Sequence, residues 1–265
     1  MMHILHAPVA ALIREVAETI VLPRFRNLSA GEKEEKAPDD WVTIADRESE
    51  ARLSEGLAAI LPEARIIGEE ACAADPAILD RLGSGMQWII DPVDGTGNFA
   101  AGKAPFGIMV ALGDGADVAA GWIYDPLRQR MCHAVRGGGA FIDDEPVKAT
   151  ESGEAMPVAA LATYFMPHAE RARVVERAHG NFRIVDIPRC AAEQYPRIIL
   201  GENDISIFER TLPWDHAAGT LLLTEAGGRI TRLDGTPYRL GDARTGMLAA
   251  SSPRLWEKAA RLLYA

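Results

Sequence analysis

The segment between Trp88 and Phe99 limits the possible folds of this chain more than any other. Its sequence, WIIDPVDGTGNF, joins an apolar run directly to two aspartates, Asp91 and Asp94, and then to a Gly-Thr pair. A short apolar run bounded by turn residues is typical of a buried β-strand. In α/β proteins, ligands bind beyond the carboxyl ends of such strands. We therefore expect a buried strand that ends in a binding site containing both carboxylates.

Pro92 makes the turn after this strand rigid, because its ring fixes φ and removes an N–H donor. The turn can direct both carboxylates and the Val93 carbonyl towards one point, which outlines a site for a hard cation. The alternative is a surface turn capped by aspartates.

The spacing of the two aspartates excludes two other motifs. An EF-hand would need a carboxylate where Gly102 stands, and a nucleophile of the haloacid dehalogenase type would need aspartates two positions apart, whereas these are three apart.

Two further acidic positions follow or begin predicted elements. Glu69 and Glu70 come directly after a short apolar strand, although paired glutamates in a loop are more often solvated. Asp215 begins an apolar helix, where a purely structural role would stabilise the helix dipole by about 0.3–1 kcal/mol. For both acidic positions, the sequence allows either metal ligation or a structural role. The adjacent His216 is expected to be structural, because oxygen-ligated Mg²⁺ sites seldom use imidazole.

Thr43 and Asp46 have the T-x-x-D spacing of a capping box at the start of a helix. Capping is therefore their default role; in a catalytic role, Thr43 would cap the helix and leave Asp46 free to face the site. Lys36, Thr43 and Asp46 together form a further set of candidate site residues. The triple glycine at residues 137–139 predicts a hairpin turn, since it lacks the context of a phosphate-binding loop. The sequence contains no motif for covalent catalysis.

Apolar spacing in the first part of the chain predicts two helices before any strand. The first covers residues 5–20 and ends at Pro23, and the second runs from about Thr43 to Pro62, with a charged loop at residues 31–36 between them. Short buried strands and an antiparallel meander follow, at residues 64–68, 86–91 and 106–147.

In the second part of the chain, predicted strands and helices alternate. The strands lie at residues 158–163 and 182–187, and the helices lie at residues 168–179 and 215–226. We therefore predict an N-terminal α+β metal-binding half, residues 1–150, and a C-terminal α/β substrate-binding half, residues 151–265.

The charge balance limits the partners. The net charge of −10 argues against a binder of nucleic-acid polymers or anionic membranes, because these ligands need a basic surface. An anionic ligand would need a local positive charge here, and a metal cation supplies it most simply. The three cysteines lack metal-site spacing and are expected to be buried, reduced thiols. The sequence shows no signal peptide or membrane-spanning run, so we expect a cytoplasmic protein.

Four motifs, taken in order, resemble those of the inositol monophosphatase family. They are V-T-x-x-D from Val42, G-E-E from Gly68, the Trp88 segment, and W-D-x-A-A-G from Trp214. Further similar segments extend the likeness over nearly the whole chain, at residues 121–126, 137–141 and 224–228. The resemblance implies a layered α/β/α/β/α sandwich of the inositol monophosphatase and fructose-1,6-bisphosphatase type, assembled as a homodimer.

The same resemblance implies ligands for two or three Mg²⁺ ions, with Li⁺ as an inhibitor. Glu69, Asp91 and the Val93 carbonyl would hold one ion. Asp91, Asp94 and Asp215 would hold a second, and Glu69 would contribute to a third. Electrostatics agrees with this assignment, because carboxylates held together repel one another unless cations offset their charge.

Catalytic roles also follow from the resemblance. Thr96, with Asp46 behind it, would orient the attacking water, and Glu69 would assist. The N–H groups of Gly95 and Thr96, together with Asp94, would bind the phosphate at a helix start. Lys36 and Glu70 would lie near this site.

The substrate half departs from the family pattern. The segment RCAAEQY at residues 189–195 replaces a stretch of small residues, and Phe208 takes the place of an acidic residue seen in inositol-specific members, with Glu209 adjacent. Arg189 and Glu209 are therefore the predicted substrate contacts. Weak activity on inositol 1-phosphate is expected, because missing hydrogen bonds to a polar substrate reduce kcat/KM.

The predicted function is a Mg²⁺-dependent phosphomonoesterase that acts on a small phosphorylated metabolite. The alternative activities are those of a 3′(2′),5′-bisphosphate nucleotide phosphatase, a histidinol-phosphatase or a fructose-1,6-bisphosphatase. A different class is a degenerate homologue that acts as a binding protein. Retention of all four carboxylates argues against that class, since unused buried charges destabilise a fold.

Overall fold

A computed structural model describes residues 3–37 and 40–264 of the chain. In these residues, the strands form a two-stranded hairpin, a seven-stranded sheet and a five-stranded sheet. Helices cover both larger sheets and also fill the space between them. The protein is therefore a layered α/β sandwich, and the predicted fold class is confirmed.

Helices at the start of the chain cover one face of the seven-stranded sheet. α1 (His6–Val16) continues through a π-helical turn (Ala17–Val21) into α2 (Leu22–Arg24). Pro23 lies inside this continuous helix, which ends at Arg24, one residue beyond the predicted end.

Two short strands come before the next helix, so the prediction of two helices before any strand is wrong. β1 (Lys33–Ala37) lies where a charged loop was predicted and pairs antiparallel with β2 (Asp40–Thr43), which leads into α3 (Ile44–Ile60). The sequence of β1, KEEKA, has no apolar alternation, and its residues 33–36 are exposed. Its pairing depends on backbone hydrogen bonds, which leave no pattern in the sequence.

The larger sheet is built from consecutive strands. They are β3 (Arg65–Gly68), β4 (Met86–Asp94), β5 (Gly107–Asp114), β6 (Asp117–Asp125), β7 (Arg130–Val135), β8 (Gly139–Ile142) and β9 (Glu145–Val147). β3 and β4 are parallel, and each later strand is antiparallel to the one before it, so the predicted meander is confirmed. α4 (Glu69–Ala74) and a 3-10 turn (Pro76–Arg81) join β3 to β4, and α5 (Thr96–Ala100) joins β4 to β5.

The triple glycine forms the β7–β8 hairpin turn, as predicted. The N–H groups of Gly137 and Gly139 donate to the Glu225 carboxylate at 2.7 and 2.9 Å. The turn therefore binds an anionic group of its own chain, as backbone N–H groups at such turns commonly do.

The smaller sheet has the strand order β11-β10-β12-β14-β13. Its strands are β10 (Val158–Ala162), β11 (Arg183–Val185), β12 (Ile205–Phe208), β13 (Arg229–Arg232) and β14 (Met247–Ala250). Its helices are α6 (His168–Ala178), α7 (Ala191–Ile199), α8 (Pro213–Glu225) and α9 (Pro253–Tyr264). The sequence pattern indicated α6 and α8 but not α7, which contains Pro196 and buries Glu193 and Gln194.

Three clusters of buried apolar residues, all in the described part of the chain, fill the spaces between the layers. α1 and α3 pack on one face of the larger sheet, α7 and α8 lie between the two sheets, and α6 and α9 cover the outer face of the smaller sheet. α8 comes from the predicted C-terminal half, yet it packs against β5 to β8 of the N-terminal half. Side chains of both halves therefore share one core, and the division at residue 150 stays a prediction.

Cys72, Cys132 and Cys190 are buried and free, as predicted from their spacing. Burial raises the pKa of Cys72 to about 11 and that of Cys132 to about 12, so both thiols stay protonated at neutral pH. In the part of the chain that the structure describes, no helix combines the length and the apolar character needed to cross a membrane.

Candidate active site

β4 lies inside the larger sheet and carries two carboxylates at its end. It pairs with β3 on one side and β5 on the other, and its residues 87–94 are buried. The pairing with β5 is irregular between Asp91 and Asp94, where Pro92 has no N–H to donate. Asp91 is 2% exposed and Asp94 is 8% exposed, and both line the same cavity. The sequence prediction of a buried strand that ends in paired aspartates is confirmed.

Gly95 turns the chain from β4 into α5. Its φ of 83° is left-handed, and a Cβ there would lie 3.0 Å from the Pro105 carbonyl oxygen and 3.2 Å from Cys190 Cβ. A side chain at this position would therefore be strained as well as crowded. The Gly95 carbonyl accepts the N–H of Phe99 at 3.0 Å, which starts the helix. The N–H groups of the first turn, including that of Thr96, have no partner within the helix.

Asp94 also holds the start of α7. Its Oδ2 accepts the N–H of Ala192 at 2.6 Å, and its carbonyl oxygen accepts the Cys190 thiol at 3.8 Å. Burial raises the pKa of Asp94, whereas hydrogen bonds from Cys190 and Ala192 oppose this rise. A carboxylate at a helix N-terminus is stabilised by the helix dipole. α7 thus offsets part of the cost of burying Asp94.

Glu69 is the first residue of α4, and Glu50 holds this end of the helix in place. The Glu50 carboxylate is buried and accepts the N–H groups of Glu70 at 2.7 Å and Ala71 at 2.8 Å. Gly68 leaves room for it, because a Cβ there would lie 2.4 Å from the Glu50 carboxyl carbon. Glu50 came from no sequence motif, since its contact is with the first turn of α4, in another segment of the chain.

Lys36 and Glu70 form an ion pair beside Glu69. Lys36 Nζ lies 3.0 Å from Glu70 Oε1. Neither residue is among those that line the cavity. The positive charge of Lys36 nevertheless opposes the rise in the pKa of Glu69, so the pair acts on the site electrostatically. The structure thus places both residues near the site, as expected.

Asp46 caps α3 and contacts Thr96 at the same time. Its Oδ2 accepts the N–H of Thr43 at 2.8 Å and also the Thr43 hydroxyl, which completes the predicted capping box. Its Oδ1 lies 3.2 Å from the Thr96 hydroxyl, which is also 2.9 Å from the Val93 carbonyl oxygen. The capping box therefore uses one Asp46 oxygen, and the other oxygen faces Thr96 in the cavity wall, as expected. Burial raises the pKa of Asp46 to about 7.

Asp215 lies in the first turn of α8, and Arg210 Nη2 is 3.9 Å from its Oδ2. The adjacent His216 points into the core, with Nδ1 2.8 Å from the Tyr195 hydroxyl and Nε2 2.9 Å from the Arg210 carbonyl oxygen. A carbonyl can only accept, so Nε2 carries the proton and Nδ1 accepts from Tyr195. Burial lowers the pKa of His216 to about 4. His216 is therefore a neutral structural residue, as predicted.

One cavity of about 540 Å³ collects most of the predicted site residues. Those that line it are Glu69, Asp91, Asp94, Gly95, Thr96, Arg189, Glu209 and Asp215. Val93 and Asp46 contact the Thr96 hydroxyl from behind the wall. The structure therefore brings together residues that are far apart in the sequence, from β4, α4, α8 and the segment before α7.

The cavity wall also contains residues that sequence reasoning missed. Asn98 donates from Nδ2 to the carbonyl oxygens of Pro105 at 2.8 Å and Pro188 at 3.0 Å, and thus connects α5 to the segment that carries Arg189. Other missed residues add positive charge or aromatic rings, namely Lys103, Arg210, Trp41, Tyr164 and Phe165. They come from separate segments, so no local spacing relates them to the aspartates.

The carboxylates of Glu69, Asp91, Asp94 and Asp215, which we call the acidic cluster, have the donor set of a hard-cation site. Burial and then the charge of Asp215 raise the pKa of Glu69, and burial and then the charge of Glu69 raise the pKa of Asp91. These shifts report that the carboxylates repel one another in a setting that water stabilises poorly. Oxygen donors are those that Mg²⁺ prefers, so the residues fit the predicted metal.

His6, His133 and Asp144, which we call the histidine cluster, lie outside the cavity and bring possible metal ligand atoms within 4.8 Å of one another. His6 Nε2 and His133 Nε2 are 3.0 and 3.2 Å from Asp144 Oδ1. The Trp122 indole N–H donates to His6 Nδ1 at 3.0 Å. Because that nitrogen must accept, the His6 proton is on Nε2 and faces Asp144. A metal ion would have to displace this proton, so the histidine cluster fits a metal less well than the acidic cluster does.

Comparison with known proteins identifies relatives in sequence and in fold. The profile of the inositol monophosphatase family matches residues 5–265. The chain is 32% identical to an inositol-1-monophosphatase of Bacillus subtilis over 236 residues, which are 85% of this chain and 84% of the relative. It is 31% identical to Nus factor SuhB of Haemophilus influenzae over 245 residues, which are 90% and 88% of the two chains. The solved structure of extragenic suppressor protein SuhB from Bartonella henselae covers 99% of both chains with a TM-score of 0.83 at 24% identity.

Proposed function

The chain belongs to the inositol monophosphatase family of phosphoric monoester hydrolases, and we propose that it is a Mg²⁺-dependent enzyme that hydrolyses a small phosphorylated metabolite. The observation that carries this proposal is the acidic cluster, whose four carboxylates line one cavity at the end of β4. A phosphate dianion cannot approach these negative charges unless cations offset them. Metal dependence and phosphate binding are therefore two consequences of one arrangement.

Each residue of the acidic cluster has a place in the proposed metal site. Glu69, Asp91 and the Val93 carbonyl would hold one Mg²⁺, Asp91, Asp94 and Asp215 would hold a second, and Glu69 is available to a third. When bound, Mg²⁺ lowers the pKa of water and stabilises charge on phosphoryl oxygens. Asp94 Oδ2 accepts the Ala192 N–H, so the start of α7 fixes the orientation of this carboxylate.

Thr96 and Asp46 are placed to orient the attacking water and receive its proton. During hydrolysis, the water oxygen bonds to phosphorus, the ester P–O bond breaks, and the leaving oxygen takes up a proton to become an alcohol. The Thr96 hydroxyl reaches both the Val93 carbonyl and Asp46 Oδ1, so a proton received at Thr96 can pass to Asp46. Thr43 keeps Asp46 in position through its other oxygen.

Substrate would be held by groups on both sides of the acidic cluster. The N–H groups of Gly95 and Thr96 lie at the start of α5 and would bind phosphate oxygens. Arg189 and Glu209 line the cavity and would contact the rest of the substrate. Inhibition by Li⁺ and assembly as a homodimer belong to the same proposal, and both rest on the family resemblance.

A phosphatase panel tests the proposal. Glycerol 2-phosphate, inositol 1-phosphate, histidinol phosphate, fructose 1,6-bisphosphate and adenosine 3′,5′-bisphosphate are assayed with Mg²⁺ and again with EDTA. Hydrolysis of at least one compound with Mg²⁺, abolished by EDTA, is the expected result. Full activity in metal-free buffer contradicts the metal role. If no compound is hydrolysed, the competing proposal of a binding protein without catalysis is favoured.

A further inference from the structure

The wall that β10 and β12 give to the cavity is apolar, although the acidic cluster faces the same space. Ala160 and Ala162 of β10 and Ile207 and Phe208 of β12 line it. None of these side chains can donate or accept a hydrogen bond. A hydroxyl group held against this wall would lose its hydrogen bonds to water without replacement, which disfavours a polyol.

Two large aromatic rings stand at right angles directly after β10. Tyr164 and Phe165 both line the cavity, with ring centroids 5.2 Å apart and ring planes at 85°. They are 58% and 54% exposed, although burial is the usual state of a large aromatic ring. Two rings in this arrangement form a corner into which a third flat ring fits, stacked on one and edge-to-face with the other. We call Tyr164 and Phe165 the aromatic corner.

Arg210 links the aromatic corner to the acidic cluster. Its guanidinium carbon lies 5.0 Å from the Phe165 ring centroid, and its Nη2 lies 3.9 Å from Asp215 Oδ2. The corner and a predicted metal ligand are therefore within the reach of one arginine side chain. A substrate whose phosphate lies at the acidic cluster can place its other end in the corner.

We propose that the substrate is a phosphomonoester whose alcohol carries a planar aromatic or heteroaromatic ring, and that Tyr164, Phe165 and Arg210 hold this ring. The inference rests on the proposed function, since it names the substrate class of the same site. The wall formed by β10 and β12 offers a polyol no hydrogen bonds, whereas the aromatic corner offers a flat ring two ring contacts. The Arg210 guanidinium lies over the Phe165 ring and places a positive charge at the corner, which attracts the π face of an aromatic ligand.

Two substrates of similar size test the preference for a ring. The alcohols of 2-phenylethyl phosphate and 2-cyclohexylethyl phosphate have similar acidity, but only the first contains a planar aromatic ring. With Mg²⁺ present, kcat/KM for the first should exceed that for the second by about tenfold, the size expected of one well-packed aromatic contact. Equal values for the two compounds would overturn the inference.

Ring-deleting variants test which side chains produce the preference. Phe165→Leu and Tyr164→Leu keep an apolar side chain and remove the ring, so each should move the ratio of the two kcat/KM values towards one, chiefly through KM. Both positions are more than half exposed, so folding should be kept, and a melting curve checks this. Leu127→Ala is the control, because Leu127 is 42% exposed and does not line the cavity. An unchanged ratio in both ring variants would also overturn the inference.

Glycerol 2-phosphate separates this inference from the proposed function. If glycerol 2-phosphate is hydrolysed but the ring-bearing compound has no advantage, the inference fails and the phosphatase remains. If neither these three compounds nor the other members of the phosphatase panel are hydrolysed with Mg²⁺, the proposed function fails, and the inference fails with it.

Discussion

The acidic cluster and the histidine cluster hold ionisable side chains in opposite ways. In the acidic cluster, like charges line one cavity, two of them buried, and the pKa of Asp91 is raised first by burial and then by the charge of Glu69. In the histidine cluster, burial lowers the pKa of His133 to about 4, and both imidazoles face one oxygen of Asp144. The two clusters differ in whether their members attract or repel one another.

This difference separates the acidic cluster, a candidate ligand site, from the histidine cluster, whose members already contact one another favourably. The histidine cluster ties the start of α1 to β7 and to the turn after β8, and its hydrogen bonds are made within the protein. In the acidic cluster the carboxylates repel one another, and bound cations would relieve this repulsion. The cavity at the acidic cluster would give those cations and a substrate access, and none of the three residues of the histidine cluster lines it.

The largest expected contrast comes from removing one charge in each cluster at constant size. Asp94→Asn should lower kcat/KM by at least about 100-fold, because it removes a proposed ligand of Mg²⁺. Asp144→Asn should leave kcat/KM within about twofold of wild type, since Asp144 is exposed and outside the cavity. Steady-state kinetics with Mg²⁺ measures both. A loss of activity in Asp144→Asn as large as that in Asp94→Asn would break the comparison.

The second test concerns the residues behind the acidic cluster. Asp46→Asn and Thr96→Ala should each lower kcat by about 100-fold, the effect expected when proton transfer is impaired. Their affinity for Mg²⁺ should change little, and the double variant should be scarcely worse than either single variant, because the two act on one proton. If Asp46→Asn keeps wild-type kcat and only loses about 1 kcal/mol of stability, Asp46 is a helix cap and no more.

Thermal stability should respond to Mg²⁺ through the acidic cluster. At a free Mg²⁺ concentration 100 times Kd, binding to the folded state alone adds about 2.7 kcal/mol to the free energy of unfolding. Melting curves with and without MgCl₂ should show this gain in wild type and in Asp144→Asn but a reduced gain in Asp94→Asn. An unchanged midpoint in wild type at saturating Mg²⁺ would contradict a preformed site.

Glu50 provides a sharper test, because it acts on the acidic cluster without belonging to it. Glu50→Gln should lower the free energy of unfolding by about 1–3 kcal/mol, since two backbone N–H groups lose a charged acceptor. It should also raise the Mg²⁺ concentration needed for thermal stabilisation, because Glu69 is no longer held in place. Glu55→Gln, on the same helix at an exposed position, is the control. Lower stability with unchanged Mg²⁺ affinity would reduce Glu50 to a structural role.

The smallest effect is expected in the pH dependence of the histidine cluster. The pKa of His133 is lowered to about 4 in the folded state by burial, then by the charge of His6, whereas Asp144 opposes the shift. Between pH 6.5 and about 4 the unfolded state binds more protons at this residue, so its contribution to stability is present above pH 6.5 and is lost as pH falls.

Urea denaturation at pH 7 and pH 5 measures this contribution. Stability should fall by about 1–2 kcal/mol more in wild type than in His133→Gln between these pH values, because glutamine does not titrate. Comparing the two proteins cancels the contributions of groups distant from His133, whereas its neighbours His6, Asp144 and Arg14, the last of which faces the cluster from α1, are coupled to it and belong to the measured difference. Equal pH dependence in both proteins would show that His133 titrates normally.

Local patterns were enough to predict much of the fold and the strand that carries Asp91 and Asp94. The Trp88 segment predicted β4, because apolar residues, Pro92 and Gly95 act through their own backbone conformations. The Thr43 and Asp46 spacing predicted the start of α3 for the same reason. The meander was predictable because turn residues separate its strands. β1 and α7 were missed, since β1 is exposed and paired only through its backbone, and α7 buries polar residues around Pro196.

By itself, the sequence determined which residues could act as ligands, because strand ends and helix caps depend on neighbours in the chain. Only the tertiary structure decided their partners. Asp46 meets Thr96, Asp94 meets Ala192, and Glu50 meets the start of α4, each across a long stretch of chain. The aromatic corner likewise joins the acidic cluster through Arg210, a residue of another segment. Such contacts form when sheets and helices pack, and packing between distant segments leaves no periodic signal in either one.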